Sequence, residues 1–313
     1  MRLIDTMVRD IARRLREKDS AIPVSIDEFC LFLRQKGLSH KGGYFHYTTW
    51  GRLNDMLKSL DVGNDRKKRL LLMTAASSVN DSRDSRQGAY IASFSYGSEE
   101  NVAMWTNYGV PKREAVRIRF PMAAMTKWAR ENPVSGIPIY VLEGEQFRKL
   151  NATPAEAFFA DVAYYGVNDS LDKGSPVSVR YRNESCAFGE EKWRRQVCET
   201  NKSLLFKKRG WSYESEVRLI VRFDVAAITD RYRQIAVPFD TVYDAVLSDV
   251  HKNVLMGPWH DANGSQLDVI PGITNPSQSS FCGELHMRSN CDCCERKKNS
   301  DKCSCPNAEW RLW

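Results

Sequence analysis

The segment at residues 216–222, EVRLIVR, most narrows the choice of fold because its side chains alternate in character. Val217, Leu219 and Val221 take every second position, and the charged residues Glu216 and Arg218 stand before and between them. A period of two is typical of a strand with one buried face. The segment therefore predicts a strand whose other face carries charge.

The same alternation recurs along the chain, and it is interspersed with segments of helical periodicity. Further strands are predicted at residues 44–50, 89–95, 114–120, 137–143, 161–167, 234–239, 244–250 and 266–272. Helices are predicted at residues 50–60, 100–109 and 121–131. Because the two types follow no regular strand–helix–strand rhythm, the pattern predicts an α+β fold with a mainly antiparallel or split sheet.

Composition divides the 313 residues into four parts. A helical lead is predicted at residues 1–40, and a main domain at residues 41–270. A linker rich in Pro, Ser, Asn and Gln is predicted at residues 271–281, and a cysteine-rich tail at residues 282–313. The first twenty residues contain no apolar leader, and no run of about 18 apolar residues occurs. A cytoplasmic protein without a membrane-spanning segment is therefore expected.

Six of the nine cysteines fall within the tail. Because no secretory leader favours disulfides, zinc binding is the expected role, with reduced thiols and disulfides as the alternatives. The metal ligands expected from their spacing are Cys291, Cys294, Cys303 and Cys305, with Cys282 and His286 in reserve.

Positive charge is concentrated just before the alternating strand. The net charge is +7, and seven basic residues and one acid lie between residues 192 and 209. Aromatic residues are interleaved with them, a combination that suits a polyphosphate or single-stranded nucleic acid. A solvated helix face is the alternative. The expected nucleic-acid contacts are Lys207, Lys208, Arg209 and Trp211.

Two glutamates, Glu214 and Glu216, are predicted to lie on the same strand face as Arg218. Successive positions on one face lie roughly 7 Å apart. One interpretation is a solvent-exposed Glu–Arg pair, which would contribute little to stability. The other is a pair of carboxylates at an active site.

Polar residues recur in a definite order on three of the predicted strands. In chain order they are His46-Tyr47-Thr48, then Tyr90 and Ser93, then Glu214-x-Glu216 after an aromatic loop. This order resembles that of the ADP-ribosyltransferases, which place a His or Arg on the first strand, a Tyr or Ser on the next, and a glutamate on a late strand. The HYT start also looks like the nucleic-acid-modifying ADP-ribosyltransferase toxins.

Five short motifs between residues 44 and 257 carry a second resemblance. They are FHYTT, YIASFS, MWTNYG, VRIRF and WSYESEVRLI. These motifs are similar to the markers of a bacterial domain-of-unknown-function family that occurs in toxin–antitoxin and phage-defence settings.

The resemblance implies both a fold and an activity. The implied fold is a split antiparallel sheet of ADP-ribosyltransferase type with flanking helices, followed by the small cysteine-rich tail. The implied activity is that of an NAD-dependent toxin that modifies RNA or DNA, with an antitoxin and a chaperone as partners. Glu216 is the expected catalytic carboxylate, and Glu214 is expected to act on the acceptor. The expected cofactor-binding residues are His46, Tyr47, Thr48, Tyr90, Ser93 and Arg218.

The chemistry of NAD suits these residue types. Cleavage of the bond between ribose and nicotinamide produces an oxocarbenium-like centre, which a fixed carboxylate such as Glu216 stabilises. Glu214 would orient or deprotonate the acceptor. His46 is expected to hold the ribose, Tyr90 to pack against nicotinamide, and Arg218 to contact the pyrophosphate.

Two other functions fit the same residues. One is a non-enzymatic nucleic-acid-binding or scaffold protein, which consumption of NAD would exclude. The other is a metal-independent RNA nuclease that uses His46 with Glu216, which cleavage of RNA without NAD would favour.

Overall fold

The structure of the protein, a computed structural model, describes residues 34, 38, 42–62, 67–78, 88–97, 99–109, 114–143, 146–165, 202–224, 232–260, 270–274, 276–281, 287–289 and 310–312. Within these residues the fold is α+β, with a large, mostly antiparallel open sheet and several helices. The expectation of a mixed fold with a mainly antiparallel sheet is confirmed. Its finer assignment to the ADP-ribosyltransferase type stays a prediction.

Strands and helices alternate irregularly along the described residues. The strands are β1 (Tyr44–Thr49), β2 (Leu60–Asp61), β3 (Lys67–Lys68), β4 (Leu70–Ala75), β5 (Ala89–Tyr96), β6 (Ala115–Phe120), β7 (Tyr140–Glu143), β8 (Gln146–Lys149), β9 (Glu156–Asp161), β10 (Ala163–Tyr165), β11 (Phe206–Lys208), β12 (Glu216–Arg222), β13 (Gln234–Pro238), β14 (Val254–Met256), β15 (Ser277–Gln278), β16 (Met287–Ser289) and β17 (Trp310–Leu312). The α-helices are α1 (Trp50–Leu57), α2 (Val102–Tyr108), α3 (Met122–Glu131), α4 (Lys202–Leu205), α5 (Asp240–Leu247) and α6 (Val250–Asn253). Short 3-10 helices span Ala76–Ser78, Val134–Gly136 and Arg209–Glu214.

Most of the predicted elements are confirmed. Strands β1, β5, β6, β7, β10, β12 and β13 and helices α1, α2 and α3 lie where periodicity predicts them. The strand predicted at residues 244–250 is wrong, because helix α5 ends at Leu247 and α6 begins at Val250. Val242, Tyr243 and Val246 are fully buried at the spacing of one helical face, which explains the difference.

Residue contacts divide the chain into two compact units. Among the described residues, the first unit contains those up to Phe45, those in 56–98 and those in 120–245. The second contains residues 46–55, 99–119 and those from Val246 onward. The predicted domain boundaries stay predictions.

In the first unit, β5 is the strand around which the sheet is built. Strand β12 pairs antiparallel with it over seven residues, and β9 pairs antiparallel with the other edge of β12. The start of β1 and strand β4 both pair antiparallel with β5, at its two ends. Strand β4 leads to β13, β7 and β8, each antiparallel to its neighbour. The strand β12 is therefore central rather than an edge.

An aromatic cluster supports one face of the three strands β5, β12 and β9. Phe94 and Phe159 lie opposite Val217 and Leu219, respectively, in the strand register. Trp128 in α3 packs edge-on against Phe159 at 6.0 Å between ring centroids. Such aromatic pairs contribute about 0.5–1.5 kcal/mol each beyond burial. This core fixes the strands that carry Glu216 and Arg218 on their opposite face.

The second unit contains its own strand pairs. Strand β14 pairs antiparallel with β6 and parallel with β15. Asn101 caps helix α2, because its side chain accepts hydrogen bonds from the backbone N–H groups of Ala103 and Met104. The segment predicted as a linker differs from that expectation, since β15 lies in it and Ser279 is buried.

Candidate active site

Four charged side chains meet at the start of β12, and we call them the carboxylate cluster: Lys207, Glu214, Glu216 and Arg218. The Lys207 ammonium nitrogen lies 2.8 Å from Glu214 Oε2 and 2.9 Å from Glu216 Oε2. Arg218 Nε donates to Glu216 Oε1 at 2.7 Å, and Nη2 donates to Oε2 at 3.2 Å. Two anions and two cations therefore balance within one cluster.

The cluster is buried, which corrects the expectation of a half-buried strand with a charged outer face. Glu214 and Glu216 are each 3% exposed, Arg218 is 1% exposed and Lys207 is 9% exposed. Both faces of β12 are covered from Glu216 to Val221. The interpretation as a solvent-exposed Glu–Arg pair is therefore wrong.

The cover over the charged face comes from α4 and β11. Leu204 and Leu205 pack in one apolar cluster with Ile91, Phe158 and Ile220, which lie on three neighbouring strands. The backbone carbonyl of Leu204 also accepts a hydrogen bond from Arg218 Nη1 at 2.9 Å. Burial of this arginine is thus compensated by its hydrogen bonds, as a buried charge requires.

A turn in an unusual conformation places the two glutamates side by side. Glu214 ends the 3-10 helix and is not on the strand, so the prediction that both glutamates extend one strand is wrong. Ser215 between them has φ 43°, the one positive φ of a non-glycine residue among those described. This left-handed conformation costs about 1 kcal/mol for a serine. The backbone N–H of Tyr96 donates to the Ser215 carbonyl at 3.0 Å and helps to hold the turn.

Strand β5 and strand β10 supply two further partners of Glu216. Ser93 lies directly opposite Arg218 in the register, and its hydroxyl donates to the Glu216 carboxylate. The phenol oxygen of Tyr164 accepts a hydrogen bond from the Glu216 backbone N–H at 2.9 Å. The structure therefore brings Ser93 to Glu216, and its expected contact with NAD stays a prediction.

The electrostatics of the cluster favour its ionised form. Burial alone would raise the pKa of Glu216, but Arg218 and Lys207 outweigh it and hold that pKa below its ordinary value. Burial would likewise lower the pKa of Lys207, but the carboxylates of Glu216 and Glu214 raise it. Glu216 is consequently a carboxylate, and Lys207 an ammonium, at neutral pH.

Tyr90 is not part of the cluster. It lies opposite Val221 in the register, so it faces the other side of the sheet from Glu216. Its hydroxyl donates to the backbone carbonyl of Tyr232 at 3.0 Å, and its ring packs edge-on against Phe223. The structure therefore does not bring Tyr90 to the carboxylates.

The residues His46, Tyr47 and Thr48 lie in the second unit, on β1. The Tyr47 ring packs edge-on against Trp105, 4.8 Å between centroids, and its hydroxyl accepts from the Asn101 backbone N–H at 3.2 Å. Thr48 is 2% exposed, and its hydroxyl has no hydrogen-bond partner among the described residues. Their expected contacts with NAD stay predictions.

The basic segment divides into a buried lysine and exposed neighbours. Lys207 bonds to two carboxylates, so the expectation that it contacts nucleic-acid phosphates does not agree with its environment. Lys208, Arg209 and Trp211 are exposed, and Trp211 lies beside Tyr213 with 6.2 Å between ring centroids. These exposed residues keep the predicted nucleic-acid contacts available.

The expected metal site lies outside the described residues, as do all four cysteines Cys291, Cys294, Cys303 and Cys305 and their reserves Cys282 and His286. No group of three or more His, Cys, Asp or Glu side chains suited to a metal occurs in the part of the chain that the structure describes. Zinc binding therefore stays a prediction about the tail.

Sequence reasoning missed two members of the site and gave a third a different role. Tyr164 acts through its phenol oxygen and Leu204 through its backbone carbonyl. Lys207 is predicted to contact nucleic acid, because no signal in the sequence separates it from its basic neighbours. The parallel pairing of β10 with β11 brings Tyr164 opposite Lys207, and nothing in the local pattern predicts it.

Comparison of the chain with protein-family models, curated proteins and solved structures finds no match. Among the residues that the structure describes, no helix is long and apolar enough to cross a membrane.

Proposed function

We propose that this protein is an NAD-dependent ADP-ribosyltransferase with Glu216 as its catalytic carboxylate. The supporting observation is the convergence of Glu214, Glu216 and Ser93 beside Arg218, where β5 and β12 run next to each other. A fixed carboxylate in a place from which water is excluded stabilises developing positive charge strongly. The residue types and their order along the chain are those that the family resemblance implies.

In the proposed reaction, the bond between the ribose carbon and the nicotinamide nitrogen breaks, and its electron pair leaves with nicotinamide. Glu216 stabilises the oxocarbenium-like ribose and accepts a hydrogen bond from a ribose hydroxyl. Glu214 accepts the proton that the acceptor loses as it bonds to the ribose carbon. Arg218 and Ser93 hold the Glu216 carboxylate in position.

The proposal retains the cofactor roles of His46, Tyr47 and Thr48 as predictions to be tested by mutation. Arg218 takes a different role from the expected contact with pyrophosphate, because its guanidinium already bonds to Glu216 and Leu204. Tyr90 is left out of the proposed site, since it lies on the opposite face of the sheet.

The proposed acceptor is nucleic acid, either RNA or DNA. Lys208 and Arg209 are exposed at the start of the 3-10 helix that ends at Glu214, and they suit phosphates. Trp211 in the same helix suits stacking on a base. With the family resemblance, the proposal extends to a cytoplasmic toxin of a toxin–antitoxin or phage-defence system, with an antitoxin and a chaperone as partners.

A non-enzymatic nucleic-acid-binding protein is the second candidate, favoured by the bonding of Glu216. This side chain is 3% exposed, and its oxygens accept from Lys207, Arg218 and Ser93. Structural ion-pair networks have the same properties. The exposed basic residues before Glu214 would serve this function equally well.

One experiment separates the two candidates. The protein is incubated with NAD labelled in its adenosine part and with separate pools of RNA, DNA and protein. Label in RNA or DNA, lost in Glu216→Gln, supports the transferase. Binding of nucleic acid without any consumption of NAD favours the second candidate, and label in the protein pool alone would contradict the proposed acceptor.

A further inference from the structure

The two cations that contact Glu216 are held very differently. Arg218 is 1% exposed in the central strand β12 and also donates to the Leu204 carbonyl. Lys207 stands in the three-residue strand β11, whose pairing partner is the three-residue strand β10. Its ammonium lies 5.5 Å from the centroid of the Trp211 ring, which is 39% exposed. Lys207 is therefore the cation that can leave without disturbing the main sheet.

Departure of the Lys207 ammonium would change the charge of the cluster. With Lys207 withdrawn, the carboxylates of Glu214 and Glu216 carry two negative charges against the single positive charge of Arg218. A net negative charge in a buried, weakly screened place attracts a cation. The position left by the ammonium would be bordered by two carboxylates and the face of Trp211. Aromatic faces bind organic cations, so this position would suit one.

We propose that Lys207 is a positioning residue which, in the resting protein, occupies the place of the substrate's positive charge. The positively charged pyridinium end of NAD displaces the Lys207 ammonium from Glu216, and Arg218 keeps Glu216 in place. The inference rests on the proposed function, because it takes NAD as the incoming cation. Lys207 itself touches no reacting atom and acts through Glu216.

A lysine side chain suits displacement by the substrate better than an arginine side chain would, because it is more flexible. Its single ammonium on a four-carbon stem can turn away while the backbone of β11 stays in place. In the resting state the same ammonium holds Glu214 and Glu216 together against their mutual repulsion. One side chain thus keeps the two carboxylates together and blocks them until substrate arrives.

The test compares NAD with NADH, whose dihydronicotinamide ring is neutral. In Lys207→Met, NAD measured by calorimetry should bind about tenfold more tightly because no ion pair has to break, whereas NADH should bind both proteins equally. In turnover, KM for NAD should fall with a smaller change in kcat. Lys207→Arg keeps a cation on Glu216 that is harder to turn away, so it should bind NAD no more tightly than wild type.

The pH profiles give a second readout, because kcat/KM reports the protein before NAD displaces Lys207 and kcat reports it afterwards, whereas a merely structural lysine would affect both alike. The charged and titratable groups around Glu216 are Lys207, Arg218, Glu214 and Tyr164. Without Lys207, Glu216 loses one of the two cations that lower its pKa. The acid limb of the kcat/KM profile should therefore move to higher pH in Lys207→Met, whereas that of the kcat profile should stay in place, because Lys207 has already left Glu216 once NAD is bound.

Two further variants control for charge and for folding. Lys149→Met removes the same charge from an exposed position in β8 and should leave the affinities for NAD and NADH unchanged. The double variant Lys207→Met/Glu214→Gln keeps the cluster neutral in total charge if the single variant does not fold. Because no ammonium has to leave, this variant should still bind NAD more tightly relative to NADH than wild type does, but by less than Lys207→Met, which keeps the second carboxylate.

Each outcome decides between the two proposals. If wild-type protein cleaves NAD through Glu216 but Lys207→Met shows unchanged NAD affinity, KM and pH profile, the displacement is overturned and the transferase stands. If NAD binding tightens selectively and neither protein turns NAD over, the displacement is supported and the transferase fails. If neither protein binds NAD, both are overturned.

Discussion

At the scale of single residues, Glu216 has a structural counterpart in the same sheet. Glu156 in β9 is 2% exposed and accepts two hydrogen bonds from Arg222, at 2.8 and 2.9 Å. Glu216 is buried to the same degree and is bonded to Arg218 in the same bidentate manner. The two glutamates differ in their neighbours, because the Lys207 ammonium that bonds to Glu216 also bonds to the Glu214 carboxylate. Comparing variants of Glu216 and Glu156 therefore separates the effect of a buried glutamate on stability from its effect on catalysis.

We expect Glu216→Gln to lower NAD cleavage on the order of 10²–10³-fold, because it removes the charge that faces the oxocarbenium-like ribose. It should also lower the free energy of unfolding by about 3 kcal/mol, since Arg218 and Lys207 lose a buried counter-charge. This stability loss replaces the smaller effect expected of a half-exposed glutamate. Glu156→Gln should lower stability to a similar extent and keep the rate. NAD turnover and chemical denaturation measured on both variants check this, and equal rates in the two variants would contradict the assignment.

The sequence predicts part of the candidate site at the level of single residues. Alternation correctly places Glu216 and Arg218 on one face of a strand. The pairing of β12 with β5, which brings Ser93 beside them, does not follow from the order of the strands along the chain. Burial could not be read from the pattern, because charge on one face ordinarily means solvent. The charged face of β12 is covered by Leu204 and Lys207, which lie in α4 and β11 and not in the strand itself. A positive φ at Ser215 is likewise set by its tertiary contacts and not by residue type.

At the scale of elements, the 3-10 helix Arg209–Glu214 begins at exposed basic residues and ends at the buried Glu214. Lys208 and Arg209 are exposed on its outer side. Neutralising both residues should weaken nucleic-acid binding and reduce the slope of log K against log salt by about 1.4 for single strands, about 0.7 for each phosphate contact. Binding titrations at several salt concentrations measure this slope.

The control for that measurement is a second exposed basic pair. Lys127 and Arg130 lie on the outer side of α3, and their replacement changes the net charge by the same amount. This variant should retain the wild-type slope. Equal losses of slope in both double variants would mean that net charge, and not the 3-10 segment, governs binding.

The segment 276–281 is held by a single carboxylate in the second unit. Glu100 Oε1 accepts hydrogen bonds from the Ser280 backbone N–H and hydroxyl, both at 2.8 Å, and Oε2 accepts from Trp105 Nε1 at 3.0 Å and from the Ser279 hydroxyl. Burial would raise the pKa of Glu100, but these hydrogen bonds outweigh it and lower that pKa. A composition rich in Ser, Asn and Gln predicts a linker, and it cannot reveal such an anchor.

We expect Glu100→Gln to speed amide hydrogen exchange of the segment 276–281 about tenfold at pH 7, because charge-assisted hydrogen bonds are lost. The pKa of Glu100 is lower in the folded than in the unfolded state, so its contribution is present above the unfolded value of about 4.3. It disappears as the pH falls through the lower folded value. The difference between wild type and Glu100→Gln should therefore vanish in acid. Glu99→Gln, an exposed neighbour, should exchange like wild type, and a pH-independent difference would contradict the anchor.

At the scale of the whole molecule, chain order does not reveal the two units. Strand β14 pairs with β6, so that Met256 lies opposite Val116, a residue 140 positions earlier in the sequence. Strand β1 and helix α5 each contribute residues to both units. Composition detects only changes such as the Pro- and Ser-rich stretch after residue 270. Units built from distant strand pairings leave no such mark in the sequence, and the predicted domain at residues 41–270 rests on composition alone.

The largest remaining prediction concerns the tail at residues 282–313, which we expect to bind one zinc ion. A segment of this length cannot bury enough apolar surface to fold alone, so a metal would supply its folding energy. Elemental analysis of protein purified under reducing conditions without chelator should give about one zinc per chain. Cys291→Ser/Cys294→Ser should lose the metal, whereas Cys186→Ser/Cys198→Ser, two cysteines outside the tail, should keep it. Full reaction of the tail cysteines with a thiol reagent in metal-free native protein would instead identify reduced thiols, and their protection until a reductant is added would identify disulfides.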